Sequence, residues 1–557
     1  MAVGLCLCCA CATVRRAVAD SGPAPAAAGT TADSGPIPGG EAPIGEPEPD
    51  STDGLPIARI EILPRNIFDP LPPGRLAPVL DLANRLHVRT REQTVRAQLL
   101  MRPGERWSDE RGHETVRNLR ALDFLVPSHI TARRDGDSVV VDVETRDKWS
   151  TSPEFNIESA DGRQYGSLAF TERNFFGLGK AISIVYRELP GGRSRSVMFD
   201  DPGMQGTRVQ LHYSASDGAN GASDEVQIGQ PFYAEDAPFS YGLNWSRATS
   251  VATLYERGRE SVNFNRRGDA WDLYWGAGRR RGNLVRRVQF SFGQTGRRFG
   301  PSHALQASVP PEFSGGEESL QLRRFLVEGR LWRPRFIERV RVNGFGLVED
   351  FDVGSSVSLG LGGSALLLGS SQDEAYGQAR VAFGTVTPLG FGQLSATGSS
   401  RLKTVTLESI GQIDARWVQQ SRFAQTLVLS ARGVGGRNTA RDFEVLAGGL
   451  NGLRAYPVTA VGGTRLWRLN AENRWTVGER FWESVTVGAV TFCDAARAWG
   501  PGSGGSQWFV DAGAGLRIAL PQWSLGQVMR IDLAWPIEPS RNGQRNPVLT
   551  FGSSQGF

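Results

Sequence analysis

The sequence predicts a mainly β protein: a large antiparallel transmembrane β-barrel preceded by one small α+β domain. Three observations carry this. From about residue 150 onward no amphipathic helix period appears, and runs alternate between apolar residues and charged residues or Gly. Gly makes up 68 of 557 residues, about 12% against the usual ~7%, which suits tight turns and crowded strands. No apolar run reaches the ~18 residues of a membrane helix, which excludes helical spans but not a barrel, whose strands alternate.

Taken in order, Ala2 to Val14 is an apolar run of signal-peptide length, and Ala17-Val18-Ala19 offers a small-residue cleavage pattern before Asp20. Residues 1–19 therefore read as a signal peptide, atypical in lacking a basic residue ahead of the apolar run. Cys6, Cys8, Cys9 and Cys11 lie inside it and only Cys493 lies in the body, so disulfides do not hold the fold together. Residues 20–56 are rich in Pro, Gly, Ala and acids and read as a disordered linker. The balance of 62 basic and 58 acidic residues, a formal +4, points to no nucleic acid or other acidic partner.

From 57 to 147 the texture changes. Ile57 to Ile62 alternates as a strand. Thr90-Arg91-Glu92-Gln93 has the form of a capping box ahead of Val95, Leu99 and Leu100 at helical spacing. Pro103-Gly104 ends that helix, and Ser108 offers a cap for a second, with Val116, Leu119 and Leu122 along one face. His129 to Arg134, the turn Asp135-Gly136, and Ser138 to Thr145 with Val139, Val141 and Val143 in phase predict a hairpin. The order is β-α-α-β-β.

The barrel is assigned to residues 148–557. In Leu466 to Arg474, Trp467, Leu469 and Ala471 fall on one face and Arg468, Asn470, Glu472 and Arg474 on the other. Val510 to Ile518 sets Asp511 and Arg517 opposite apolar residues, and Met529 to Trp535 does the same with Arg530 and Asp532. Such faces suit lipid outside and water inside, and closure follows because backbone groups in lipid must all be paired. Ahead of these strands stands a Gly-rich loop, Ala447 to Pro457, with one Arg between bulky apolar neighbours: Leu453-Arg454-Ala455-Tyr456. Arg454, Glu472 and Asp494 together predict an ion-pair cluster inside the hollow. The chain ends on an alternating strand, Val548 to Phe557, with Phe551 in phase and Phe557 last.

With these motifs in hand, the chain resembles the BamA/TamA-like outer-membrane superfamily of surface-antigen type, as a member with one POTRA domain at 57–147. The superfamily's V/I-R-G-F/Y loop motif stands here as Leu453-Arg454-Ala455-Tyr456, and its F-x-D-x-G strand motif as Phe492-Cys493-Asp494-Ala495-Ala496. Ala replaces Gly in both, which puts the tightness of the loop's turn in question. Asn174 to Gly179, Gly513 to Arg517 and Arg530 to Asp532 extend the likeness.

The resemblance implies sixteen strands, about 25 residues each with its loop, and an outer-membrane location with the POTRA domain in the periplasm. It implies that Leu453, Arg454, Ala455, Tyr456, Glu472, Phe492 and Asp494 lock the loop inside the lumen. Val139, Val141 and Val143 would mark the domain's client-binding edge, where an unfolded polypeptide adds a strand. Phe551 and Phe557 would mark the barrel seam and the terminal assembly signal. The implied partners are outer-membrane lipid, client polypeptides and periplasmic accessory proteins, and the implied job is assembly or translocation of other polypeptides. The alternative is a passive outer-membrane pore or structural surface antigen. His87, His113, His129, His212 and His303 make no ligand spacing, and no G-x-S-x-G, phosphate-binding loop or H-E-x-x-H occurs, so the reading includes no enzyme activity, metal or cofactor.

Overall fold

The computed structural model describes residues 52–552, apart from 161–162, 190–191, 346–347, 422–423, 450, 482–484, 504, 506, 524–527 and 540–544. The signal segment 1–19, most of the linker 20–56 and Phe557 lie outside the described residues.

The N-terminal domain runs β1 (Ile57–Arg65), α1 (Ala77–Leu86), α2 (Glu92–Arg96), α3 (Asp109–Arg120), β2 (Leu125–Asp135) and β3 (Ser138–Asp147). Its sheet has the order β1-β3-β2, with β3 parallel to β1 and antiparallel to β2. Val95, Leu119, Leu125, Val139, Val141 and Val143 are wholly buried and form its centre. The domain starts inside the expected linker, because the Gly54 and Trp107 amides donate to Trp107 O and Leu55 O.

Three local expectations need correction. The helix α1 is additional, since apolar residues on more than one of its faces hide the period. The capping box is not formed: α2 starts after Arg91 with no side-chain cap. Thr90 is instead buried, its amide donating to Asp147 and its hydroxyl accepting from Asn174 Nδ2 at 2.9 Å. Ser108 does hold the N-cap position of α3, but through its carbonyl rather than its side chain.

The third correction concerns function. β3 is the central strand of the sheet, paired on both sides, and Val139, Val141 and Val143 point into the core. They cannot be an edge that takes an added strand. The hairpin's other arm, β2, and β1 are the two edge strands, each with an outer side that pairs with no described strand.

Beyond the domain, twenty antiparallel strands, from Thr151–Ala160 to Val548–Gly552, close into a barrel, with a two-residue stub His303–Ala304 beside them. Among the described residues the wall therefore has twenty strands, not the expected sixteen. The chain spends about 20 residues per strand with its connection, because six strands fit into residues 151–230 through tight hairpins such as Gly218–Gly221. Leu168, Phe170, Leu273, Trp275, Leu359 and Phe383 are exposed on the outside, as is the thiol-bearing Cys493. Arg266, Glu374, Glu472, Asp494, Arg517 and Asp532 are buried within. The alternation predicted from sequence is the observed wall.

The small domain sits against one rim. In the barrel turn after Arg163–Phe175, Gly177 O accepts from the Arg91 amide at 3.0 Å and from Thr94 Oγ1 at 2.9 Å. Gly177 has φ +75°, and a Cβ there would lie 2.3 Å from Arg89 O, so this turn requires glycine. Helix α3 packs on the connection 231–238: Arg117 pairs with Glu235 at 2.8 Å, Arg111 with Asp236 at 2.6 Å, and Glu114 Oε1 accepts the Glu235 amide at 2.7 Å.

Glu114 gives this contact a pH dependence. Burial, then the neighbouring Glu235 carboxylate, pushes its pKa from 4.5 up to about 7. Between those values the docked domain holds more protons than the free one, so this group favours docking below about 4.5 and that contribution is lost as pH rises to 7. Glu114→Gln keeps the acceptor oxygen and removes the titration. Hydrogen exchange along α3 should show wild type and variant diverging across that window, the wild type becoming the less protected.

Candidate functional site

The connection 438–464, between wall strands Gln425–Arg437 and Arg465–Phe481, folds back into the lumen from the far rim. Val445–Ala447 pairs with Val461–Gly463 to make a short stalk. The tip turns sharply: Gly449 donates to Tyr456 O at 2.6 Å and Tyr456 to Leu453 O at 3.2 Å. A Cβ on Gly448 (φ +151°) would lie 1.7 Å from Pro457 O, and one on Gly452 (φ +113°) would meet the Arg468 side chain at 2.0 Å, so the loop demands glycine at both positions. Ala455 has no left-handed φ, so alanine costs the turn nothing there.

All four tip residues, Leu453, Arg454, Ala455 and Tyr456, are buried against the wall. The Arg454 guanidinium meets three carboxylates: Glu472 at 2.8 Å, Asp494 at 3.0 Å and Asp532 at 3.3 Å. Its Cζ lies 3.7 Å from the centre of the Phe492 ring, so the ring covers one face of the cation. The Ala455 amide donates to Asp511 at 3.0 Å, and the Tyr456 hydroxyl meets Val510 O at 2.9 Å and Glu538 O at 2.7 Å. Around this knot Arg517 pairs with Asp532 at 2.5 Å, Arg530 with Asp532 at 3.1 Å, and Arg474 with Glu472 at 2.5 Å. Four arginines thus face Glu472, Asp494, Asp511 and Asp532, and a buried cluster tolerates such a density of charge only when the signs balance.

The sequence-predicted residues Leu453, Arg454, Ala455, Tyr456, Glu472, Phe492 and Asp494 come together. Asp511 and Asp532 were legible as lumenal acids, but not as ligands of this loop. A whole element was missed. The hairpin Phe336–Val340 and Val348–Asp352 leaves the rim that carries the small domain and turns into the lumen. Glu349 organises its tip by accepting the amides of Val342, Asn343 and Gly344 at 2.8–3.1 Å. The Arg474 guanidinium donates to Val342 O, and Arg416 donates to Asn343 Oδ1 at 2.6 Å. At its base, Arg120 of α3 pairs with Asp350 at 2.9 Å and with Glu338 at 2.5 Å. Asn343-Gly344 between two alternating runs was the available signal.

Arg474 therefore holds Glu472 of the lock with one part of its guanidinium and the hairpin tip with another. The two inserted segments meet across it. Replacing 336–352 by a short Gly-Ser turn should open the barrel from this rim, seen as a rise in single-channel conductance in planar bilayers. Phe551 sits in the last described strand, opposite Ile157 of the first. Among the described residues no group of His, Cys, Asp and Glu is placed to hold a metal ion.

An Omp85 superfamily domain matches residues 356–557, the part that contains the loop, Glu472, Asp494, Asp511 and Asp532. No curated protein matches the chain. Among solved structures it is similar to BamA from Haemophilus ducreyi lacking POTRA domains 1–3, at 12% identity over 89% of this chain and 84% of that one, TM-score 0.39. It is also similar to CdiB from Escherichia coli, at 11% identity over 90% and 77%, TM-score 0.44. CdiB from Acinetobacter baumannii gives 10% identity over 90% and 74%, also at 0.44. The segment that carries the arginine lock, residues 356–557, is thus an Omp85 superfamily domain by its match to that family's model.

Proposed function

We propose that this protein assembles or translocates other polypeptides at the outer membrane, with the N-terminal domain as a periplasmic POTRA domain and the barrel seam as the place where a client strand is templated. The Omp85 superfamily domain match over residues 356–557 supports the outer-membrane insertion or secretion kind rather than an enzyme.

The observation that carries the client reading is the seam. Among the described residues the last strand pairs with the first through only Thr550–Glu158, Phe551–Ile157 and Gly552–Asn156. The strand before the last pairs over Arg530–Ala534 with it, while the first and second strands pair along ten positions, Thr151–Ala160. A wall in lipid must pair its backbone groups, so the shortest ladder is where it opens at least cost and where unpaired amides and carbonyls become available to an incoming strand.

The proposed division of labour follows. A client is held as an added strand on β2, whose Thr131 and Arg133 are exposed, and is passed to the seam. Periplasmic accessory proteins would dock on the same domain. Photocrosslinking in cells, with probes at Thr131, Arg133 and Leu549, tests this. Adducts with newly made outer-membrane or secreted polypeptides at both places are expected. Adducts confined to the barrel itself would leave a pore or surface antigen.

A further inference from the structure

Helix α1 (Ala77–Leu86) carries an unusual surface. Leu80 faces the domain and is buried, but Val79, Leu82 and Leu86, at i, i+3 and i+7, fall along one outer side and are each more than half exposed. Leu76 before the helix and Val88 after it extend the stripe in both directions. A contiguous apolar strip of this kind is seldom left in water. Arg75, Arg85 and Arg89 are exposed beside it.

Its position supplies the occupant. Three residues past the helix, Arg89 abuts the barrel turn Phe176–Gly179, and Arg91 Nε donates to Phe176 O at 3.0 Å. In that turn Phe176 and Leu178 are exposed, and the Phe175 and Phe176 rings lie 4.2 Å apart. The two strands joined by the turn present Leu168, Phe170, Ile184 and Tyr186 outward, the apolar band of the wall. The stripe on α1 thus runs to the edge of that band, where aromatic side chains of membrane barrels meet the headgroups.

We propose that α1 is an interfacial helix, lying on the periplasmic leaflet with Val79, Leu82 and Leu86 in the acyl boundary and its arginines at lipid phosphates. Apolar burial and cation–headgroup attraction act together in such helices. The contact holds the small domain in the membrane plane beside the first strands, next to the seam. The inference rests on the barrel being in a membrane and is independent of client handling.

The test uses the full chain with Cys6, Cys8, Cys9, Cys11 and Cys493 replaced by Ser and one spin label, introduced through Leu82→Cys, Leu86→Cys or, as an aqueous control, Asp137→Cys. The protein is compared in a lipid-free amphipathic polymer and in vesicles of phosphatidylethanolamine with phosphatidylglycerol. In vesicles, collisions of the labels at 82 and 86 with a water-soluble nickel chelate should fall several-fold and those with oxygen should rise, while the label at 137 is unchanged. Equal nickel collisions at 82 and 137 in vesicles would overturn the proposal. So would shielding at 82 already present in the polymer, with spin–spin broadening showing a second copy and its absence showing another part of this chain.

Discussion

Arg454→Ala should release the connection 438–464 from the lumen and lower the temperature at which the barrel unfolds. The substitution leaves Glu472, Asp494 and Asp532 facing one another, buried, with their shared cation gone. Removing one partner from a buried ion pair costs roughly 3–5 kcal/mol, because the remaining charge stays desolvated. Arg474, Arg517 and Arg530 hold part of that charge, so the loop, rather than the wall, is the element expected to give way. Two readouts separate these outcomes: the heating temperature at which the barrel loses its compact mobility in detergent gels, and surface protease cleavage near Thr459. Arg454→Lys should rescue little, since a single ammonium cannot reach three carboxylates and lie over the Phe492 ring. Unchanged unfolding temperature and unchanged cleavage in the Ala variant would sink the lock.

Tethering the seam should abolish client assembly while leaving the barrel folded. Ile157 and Phe551 are backbone partners across the closure, so Ile157→Cys with Phe551→Cys, in a Cys493→Ser background, places two thiols opposite each other. Oxidation adds a covalent link to the short ladder seen among the described residues, and reduction removes it. The expected result is loss of at least tenfold in the rate of client insertion into vesicles when oxidised, about 1.4 kcal/mol or more at the barrier, recovered with reductant. Full activity in the oxidised form would place the client elsewhere and favour the pore or surface antigen.

Much of this architecture could be read along the chain. Alternation is a local property: in Leu466–Arg474 each side chain's face follows from its parity, so lumenal Glu472 and outward Trp467 needed no knowledge of neighbouring strands. Arg454, in its Gly-rich loop between Leu453 and Ala455, and the acids on later strands were likewise legible as one cluster, because a cation between apolar residues has few ways to be buried. Strand number was not legible. Hairpins with two-residue turns and long strands give the same periodicity, and the count came from a resemblance instead of from turns such as Gly218–Gly221.

Three features belonged to tertiary structure alone. Val139, Val141 and Val143 alternate as an edge or a central strand would; the parallel pairing of Ile57–Arg65 on one side and the hairpin partner on the other makes their strand central, and Val95, Leu99 and Leu119 bury them from one face. The inward hairpin 336–352 reads as one more β-turn-β unit, and what sends it into the lumen is Arg474, Arg416 and Arg120, more than sixty residues away from it in either direction. Asp532 reaches Arg454 across 78 residues of sequence because closure curves the wall around the loop. The sequence by itself determined which faces meet lipid and which meet the lumen, and that an arginine would need acids there. Which acids, which edge and how many strands were decided by pairing between distant segments, whose register no local pattern encodes.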